Sequence, residues 1–282
     1  MKKVTYLILM LTVMVIIGCD LQPDKIIENK VEEQIIEPSP RDMLNQAYQL
    51  FKEGNDEASI QLANDVLKIG RTTKNDTLIG KALTSLCRNS QRKLDTLRLA
   101  ELSSELMDLS AASGDKKWLM YRAHMNAEMW RLIGNMDRAE AYYNESMTLS
   151  FELGSIGMYT IDHFNKSFVS VAKGDFETAN QLITKYYQLR KEEHNELEDA
   201  YGLIALAYLL EQQKNYKGAY EVAVVTRRLF EEQHILPEPP DEKPLLMVES
   251  KVKDMLTVET LEDISLNSTS TSVSDLLKAY LN

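Results

Sequence analysis

Gly134-Asn135-Met136-Asp137-Arg138-Ala139, with Tyr143 four residues on, is the stretch from which the fold can be read. Forty residues later the same place holds Gly174-Asp175-Phe176-Glu177-Thr178-Ala179, and a further forty on it holds Asn215-Tyr216-Lys217-Gly218-Ala219. Extending the step backward gives an ungapped column of Asn55, Asp95, Asn135, Asp175 and Asn215, preceded by glycine at Gly54, Gly134 and Gly174. Asn and Asp cap helices and tolerate tight turns. Four more columns keep their chemistry. Ala47, Cys87, Ala127, Ser167 and Ala207 are small, and Ser59, Leu99, Ala139, Ala179 and Ala219 mostly so. Leu62, Leu102, Tyr142, Leu182 and Val222 are apolar, as are Ile69, Leu109, Leu149, Leu189 and Leu229. A fixed period of this length marks stacked structural repeats.

Each period contains two segments with apolar residues at helical spacing, such as Leu203, Leu206, Ala207 and Leu210 before Asn215, and Ala219, Val222, Ala223 and Leu229 after it. The unit is therefore a helical hairpin. One hairpin cannot bury its own apolar faces, so neighbours must stack, and the small columns let the backbones approach closely. The expected fold is all-α: an α-solenoid of five hairpins over residues 41–235. The turn and second helix of the unit resemble a tetratricopeptide repeat. The period is forty against about thirty-four in that family, and the family's aromatic and proline marks are patchy, so its long-helix relatives are the nearer comparison.

Residues 236–282 read as a hinge, a cap and a tail. Pro237-Glu238-Pro239-Pro240-Asp241-Glu242-Lys243-Pro244 is expected to stop the helical pattern. Leu245–Leu256 then reads as a capping helix over the last open apolar face. Asn267–Ser274 reads as a polar loop, with Ser274 capping a short final helix that carries Leu276, Leu277, Tyr280 and Leu281.

The chain has 282 residues, with 32 basic and 43 acidic side chains and a net charge of −11, which argues against a nucleic-acid binder. At 44% hydrophobic and 27% charged it has an ordinary globular composition, and with only 11 Gly and 7 Pro it favours helix over sheet. Residues 1–18 combine Lys2 and Lys3 with an apolar run from Val4 to Ile17, the build of a bacterial export signal. Ile16-Ile17-Gly18-Cys19 resembles the lipobox of bacterial lipoproteins, which implies cleavage before Cys19 and palmitate-type acylation of its thiol. Loss of Lys2 and Lys3 leaves 30 basic against 43 acidic side chains, or −13, so acyl chains rather than charge would hold the body to a membrane. In lipoproteins of enteric type, an Asp in the place of Asp20 implies retention in the inner membrane, on its periplasmic side. Residues 19–40 carry six acids and three prolines and read as an extended tether, reaching about 70 Å at full stretch. Within it Ile27, Val31 and Ile35 are spaced for one short amphipathic helix.

Cys87 sits in the small column and reads as an inert space-filler, and with Cys19 acylated no intrachain disulfide can form. His124, His163, His194 and His234 form no metal-ligand spacing, and no phosphate loop or catalytic constellation is present, so neither an enzyme nor a cofactor beyond the covalent lipid is expected. The tetratricopeptide likeness implies that the first helix of each hairpin lines an inner groove. The residues it places there are Lys81, Arg88 and Arg92 at a basic end, then Tyr121 and His124, then Phe164, Phe168, Tyr201 and Tyr208 at an aromatic end. That chemistry suits a protein or peptide partner with an acidic part or a free carboxylate. The expectation is a membrane-anchored scaffold or adaptor of the bacterial envelope. A solute- or glycan-binding lipoprotein is the alternative, and an envelope hydrolase comes third.

Overall fold

The computed structural model describes residues 38–190, 196–235 and 237–281. The export signal, Cys19, the acidic stretch 20–37 with its short helix, and His194 lie outside the described residues. The ten helices expected over 41–235 are present as α1 (Pro40–Lys52), α2 (Asp56–Thr73), α3 (Asp76–Arg92), α4 (Thr96–Ser113), α5 (Lys116–Leu132), α6 (Met136–Glu152), α7 (Ile156–Ala172), α8 (Phe176–Arg190), α9 (Glu196–Gln212) and α10 (Tyr216–Glu232). No strand occurs among the described residues. Each helix packs on the next in sequence, so the fold is an all-α solenoid of helical hairpins.

The Asn/Asp column does what its chemistry allows. Asn55, Asp95, Asn135, Asp175 and Asn215 each accept the backbone N–H three residues on, at 3.0–3.4 Å, and so satisfy one free donor at the start of the second helix. The residue before each cap turns into the left-handed region, where glycine is unstrained: Gly54, Gly134 and Gly174 have φ of 78°, 84° and 78°. Leu94 and Lys214 hold the same conformation with a Cβ, at φ 54° and 64°. A second set of turns lies halfway between, at Lys74, Gly114, Gly154 and His234, so helices from α2 to α10 begin every twenty residues. The half-step hides from a column reading because its caps vary. Asn75 and Asp115 bond the next turn, whereas Ser155 makes no side-chain cap.

Both small columns are fully buried. Ala47, Cys87, Ala127, Ser167 and Ala207 are all 0% exposed, and so are Ser59, Leu99, Ala139, Ala179 and Ala219. Burial pushes the Cys87 thiol up to about 12, which makes it a packing group and a poor nucleophile. Two large apolar cores result: one spans α2–α5 around Leu83, Leu102 and Trp118, the other spans α7–α13 around Ile204, Leu206 and Phe230. Gly80 permits the first of these, since a Cβ there would fall 2.2 Å from the Trp118 ring.

The C-terminal part departs from expectation in three ways. The capping helix α11 (Pro239–Met255) starts inside the proline run, six residues before Leu245. Pro239 and Pro240 occupy the first helical positions, where the missing N–H would have no partner and the fixed φ already suits the helix; Pro244 alone lies further in. Leu245, Val248 and Val252 close the second core, while Leu246 and Met255 are about half exposed at 52% and 49%. An additional helix, α12 (Val258–Asn267), occupies sequence that periodicity did not mark, and a single 3₁₀ turn (Ser268–Ser270) follows it. The last helix, α13 (Val273–Tyr280), is capped by Ser272 rather than Ser274, because Ser272 and Asp275 form a reciprocal capping box.

Odd-numbered helices also touch the next odd-numbered helix, from α1·α3 through α7·α9, so the first helices of the hairpins form the inner layer. The start of α11 crosses that layer and reaches α3. The inner face is thereby divided into an open half and a filled half.

Candidate functional site

The open half lies between α1, α3 and α5, around a pocket of about 190 Å³. Lys81, Arg88 and Lys117 supply its charge, and Tyr48, Trp118 and Tyr121 its aromatic walls. Arg88 and Lys52 both sit over the Tyr48 ring, each 5.1 Å from its centre, and Lys117 sits 4.4 Å from the centre of Trp118. Tyr48 is nonetheless 45% exposed. Lys117 faces Asp115 at 3.8 Å, whereas Lys81 and Arg88 have no ion-pair partner among the described residues. In a chain of net charge −11, two unpaired cations on one concave surface leave a local field that favours an anion.

Arg92, expected in the same basic end, is already engaged. Its guanidinium lies over the Phe51 ring, donates to the Phe51 carbonyl oxygen and to Asp56, and reaches Glu238 at 3.8 Å; its side chain is 12% exposed. The occupant of the filled half is thus the chain's own Pro237–Asp241 stretch. Pro237 is buried. Burial raises the Glu238 carboxyl above the usual carboxylate range, with Arg92 and Arg88 opposing the rise. Burial also pushes Asp241 up to about 7 against the pull of Arg131, and its Oδ1 is a buried atom with no hydrogen-bond partner.

Beneath this stretch lies a polar cluster on α5, α6 and α7. His124 Nδ1 is 2.7 Å from Asp162 Oδ1; burial lowers the imidazole, but Asp162 and Glu128 together reverse this and hold the ring above its usual range. Glu128 accepts from Arg131 at 2.7 Å and from the Tyr143 hydroxyl. Burial raises its carboxyl, and Arg131 and His124 more than reverse this, leaving it below the usual range. The imidazole of His163 points elsewhere, bonding the Tyr159 carbonyl at 2.7 Å, so His124 and His163 are not brought together.

The aromatic end expected from the sequence is packed rather than open. Phe164 and Phe168 are 7% and 5% exposed and meet edge to face at 5.1 Å. Phe164 also contacts Tyr186 and Tyr201, and Phe168 contacts Tyr208 and the Arg131 guanidinium. These rings join the second core, with Tyr201 and Tyr208 only partly buried at its edge. Of the residues proposed for a groove, Lys81, Arg88 and Tyr121 share the open pocket; Arg92, His124, Phe164, Phe168, Tyr201 and Tyr208 belong to the filled half or its boundary. Lys117 and Trp118 were missed, although Lys117 lies one helical turn before Tyr121 and shares its face. Nothing periodic marks Glu238 and Asp241. No protein-family model matches the chain, and no curated protein matches it.

Proposed function

We propose that the protein is an interaction module, held at a bacterial membrane by acylation of Cys19, whose inner face binds a protein or peptide partner through the open pocket between α1, α3 and α5. The observation that carries this reading is the pair of unpaired cations, Lys81 and Arg88, beside exposed Tyr48 on a strongly acidic chain. Charge attracts the partner and the rings supply apolar contact area, the combination that anchors peptide side chains. The volume of about 190 Å³ is below the roughly 300–1,000 Å³ typical of small-molecule sites, which favours side chains over a whole solute or glycan. The likeness to long tetratricopeptide-type repeats points the same way.

The test is crosslinking in intact cells, with the trapped protein identified and then captured by wild type and by a Lys81→Glu/Lys117→Glu variant. Capture is expected to fall with the double reversal while thermal unfolding is unchanged, because Lys81 is exposed and neither Lys81 nor Lys117 belongs to a core. Undiminished capture would place the binding surface outside the pocket. Cys19→Ala is expected to abolish acylation and release the protein from the membrane fraction; a variant still acylated and membrane-bound would end the anchor reading.

A further inference from the structure

The filled half of the inner face shows what that surface holds. Pro237-Glu238-Pro239-Pro240-Asp241 brings the Glu238 carboxylate to 3.8 Å from Arg92 and the Glu238 backbone to the Tyr201 hydroxyl, with Pro237 buried and the charge of Arg131 acting on Asp241. The seat is therefore cationic and aromatic, and the segment is acidic and proline-rich. The same cationic and aromatic lining recurs in the open half. Arg88 lines the pocket next to Tyr48, Lys81 and Tyr121, one helical turn before the Arg92 that reaches Glu238 at 3.8 Å. Nothing among the described residues brings an acid within ion-pair distance of Lys81 or Arg88.

The geometry points to an acidic, proline-flanked segment of a partner protein as the ligand of the open pocket, bound beside the chain's own Pro237–Asp241 stretch and by the same means. This rests on the reading of the pocket as a peptide site. A carboxylate enters between Lys81 and Arg88, and flanking prolines lie on the exposed ring of Tyr48 and on Tyr121. Proline suits the task because it is already extended, so little conformational entropy is lost on binding, and because its ring packs flat on an aromatic face. The small volume fits one acidic side chain and its neighbour rather than a folded domain.

The probe is a fluorescein-labelled peptide, Leu-Pro-Glu-Pro-Pro-Asp-Glu, copied from residues 236–242 and titrated by anisotropy against the full chain. Binding is expected, weakening about tenfold or more in Lys81→Glu, to a smaller degree in Lys81→Gln, and progressively with salt as exposed charges are screened. A control with Gln and Asn in place of the acids is expected not to bind. Equal binding by the control, or equal affinity in wild type and Lys81→Glu, overturns the proposal. Binding seen only after the acids of residues 20–37 are changed to their amides also overturns it, since the chain's own N-terminal stretch would then be the occupant. If the crosslinked partner is lost in Lys81→Glu/Lys117→Glu yet the peptide fails to bind wild type, the pocket stands as the interaction site and the acidic-proline ligand falls. If capture is also undiminished, both fall.

Discussion

Tyr48 and Phe168 stand in the same column of the repeat, on the first helices of the first and fourth hairpins, yet one is 45% exposed and the other 5%. The same column holds partly exposed Arg88 and buried Glu128 between them. The column of Lys81 does not follow it: Lys81 is exposed, Tyr121 partly so, and Ile161, in the fourth hairpin, is 44% exposed. Equivalent positions in a solenoid share a backbone but not a neighbourhood. In the later hairpins Phe164, Phe168, Tyr201 and Tyr208 pack on one another and join the second core, and the start of α11 reaches across to Arg92 at the end of α3; the stretch of the first hairpins around Tyr48 and Lys81 is left open, and the same register remains a surface there. A repeat column thus predicts direction, inward or outward, and leaves burial to whatever else the chain folds against that face.

The comparison can be broken most directly at its two ends. Phe168→Ala is expected to cost about 3–5 kcal/mol, as large cavities in packed cores do, whereas Tyr48→Ala should cost under about 1 kcal/mol for an exposed ring. Urea unfolding of both variants measures it, and equal losses would mean the two halves do not differ in packing. The small column provides the control. Cys87 and Ala207 are both 0% exposed in opposite halves, so leucine at either should overpack and destabilise by about 1–3 kcal/mol, with Cys87→Ala mild. Rapid labelling of the native Cys87 thiol by a bulky reagent would contradict its burial.

A third prediction uses pH. Asp241 is raised from its ordinary value to about 7, so the folded state binds its proton more tightly than the unfolded chain does. Its contribution favours the fold at low pH and is lost as pH rises from about 4 through about 7. Glu238 and His124 are also raised and act in the same direction, while Glu128, held low, adds stability that disappears only on stronger acidification. Wild type should therefore unfold at lower urea at pH 8 than at pH 6, and Asp241→Asn should flatten that slope. Identical slopes in the two proteins would remove Asp241 from the account. The smallest effect is expected at Lys81→Glu, within about 0.5 kcal/mol of wild type in stability, because an exposed side chain outside the core is replaced by another. A larger loss would show that the open half contributes to the stability of the fold as the filled half does.

Much of the architecture could be read from residue types at fixed spacing. Asn55, Asp95, Asn135, Asp175 and Asn215 announce their turns because capping is local chemistry, decided within four residues. The small columns announce close helix packing because only a small side chain lets two backbones approach. The proline run misled for a local reason too: Pro begins a helix readily, Pro239 and Pro240 sit at the beginning, and only Pro244 lies inside α11, which continues past it to Met255. Of the site, Lys81, Arg88 and Tyr121 were legible as inward-facing; the engagement of Arg92 by Glu238 was not, since 146 positions of sequence separate partners that are 3.8 Å apart.

Periodicity and capping chemistry were decided by order along the chain, because each depends on neighbours one turn or one repeat away, and net charge by composition alone. The division of the inner face into a filled and an open half was decided only by the folded solenoid. It arises where α11 crosses to α3 and sets the acids of Pro237–Asp241 against Arg92 and Arg131, a long-range contact that desolvates one set of repeat positions and leaves its equivalents in water.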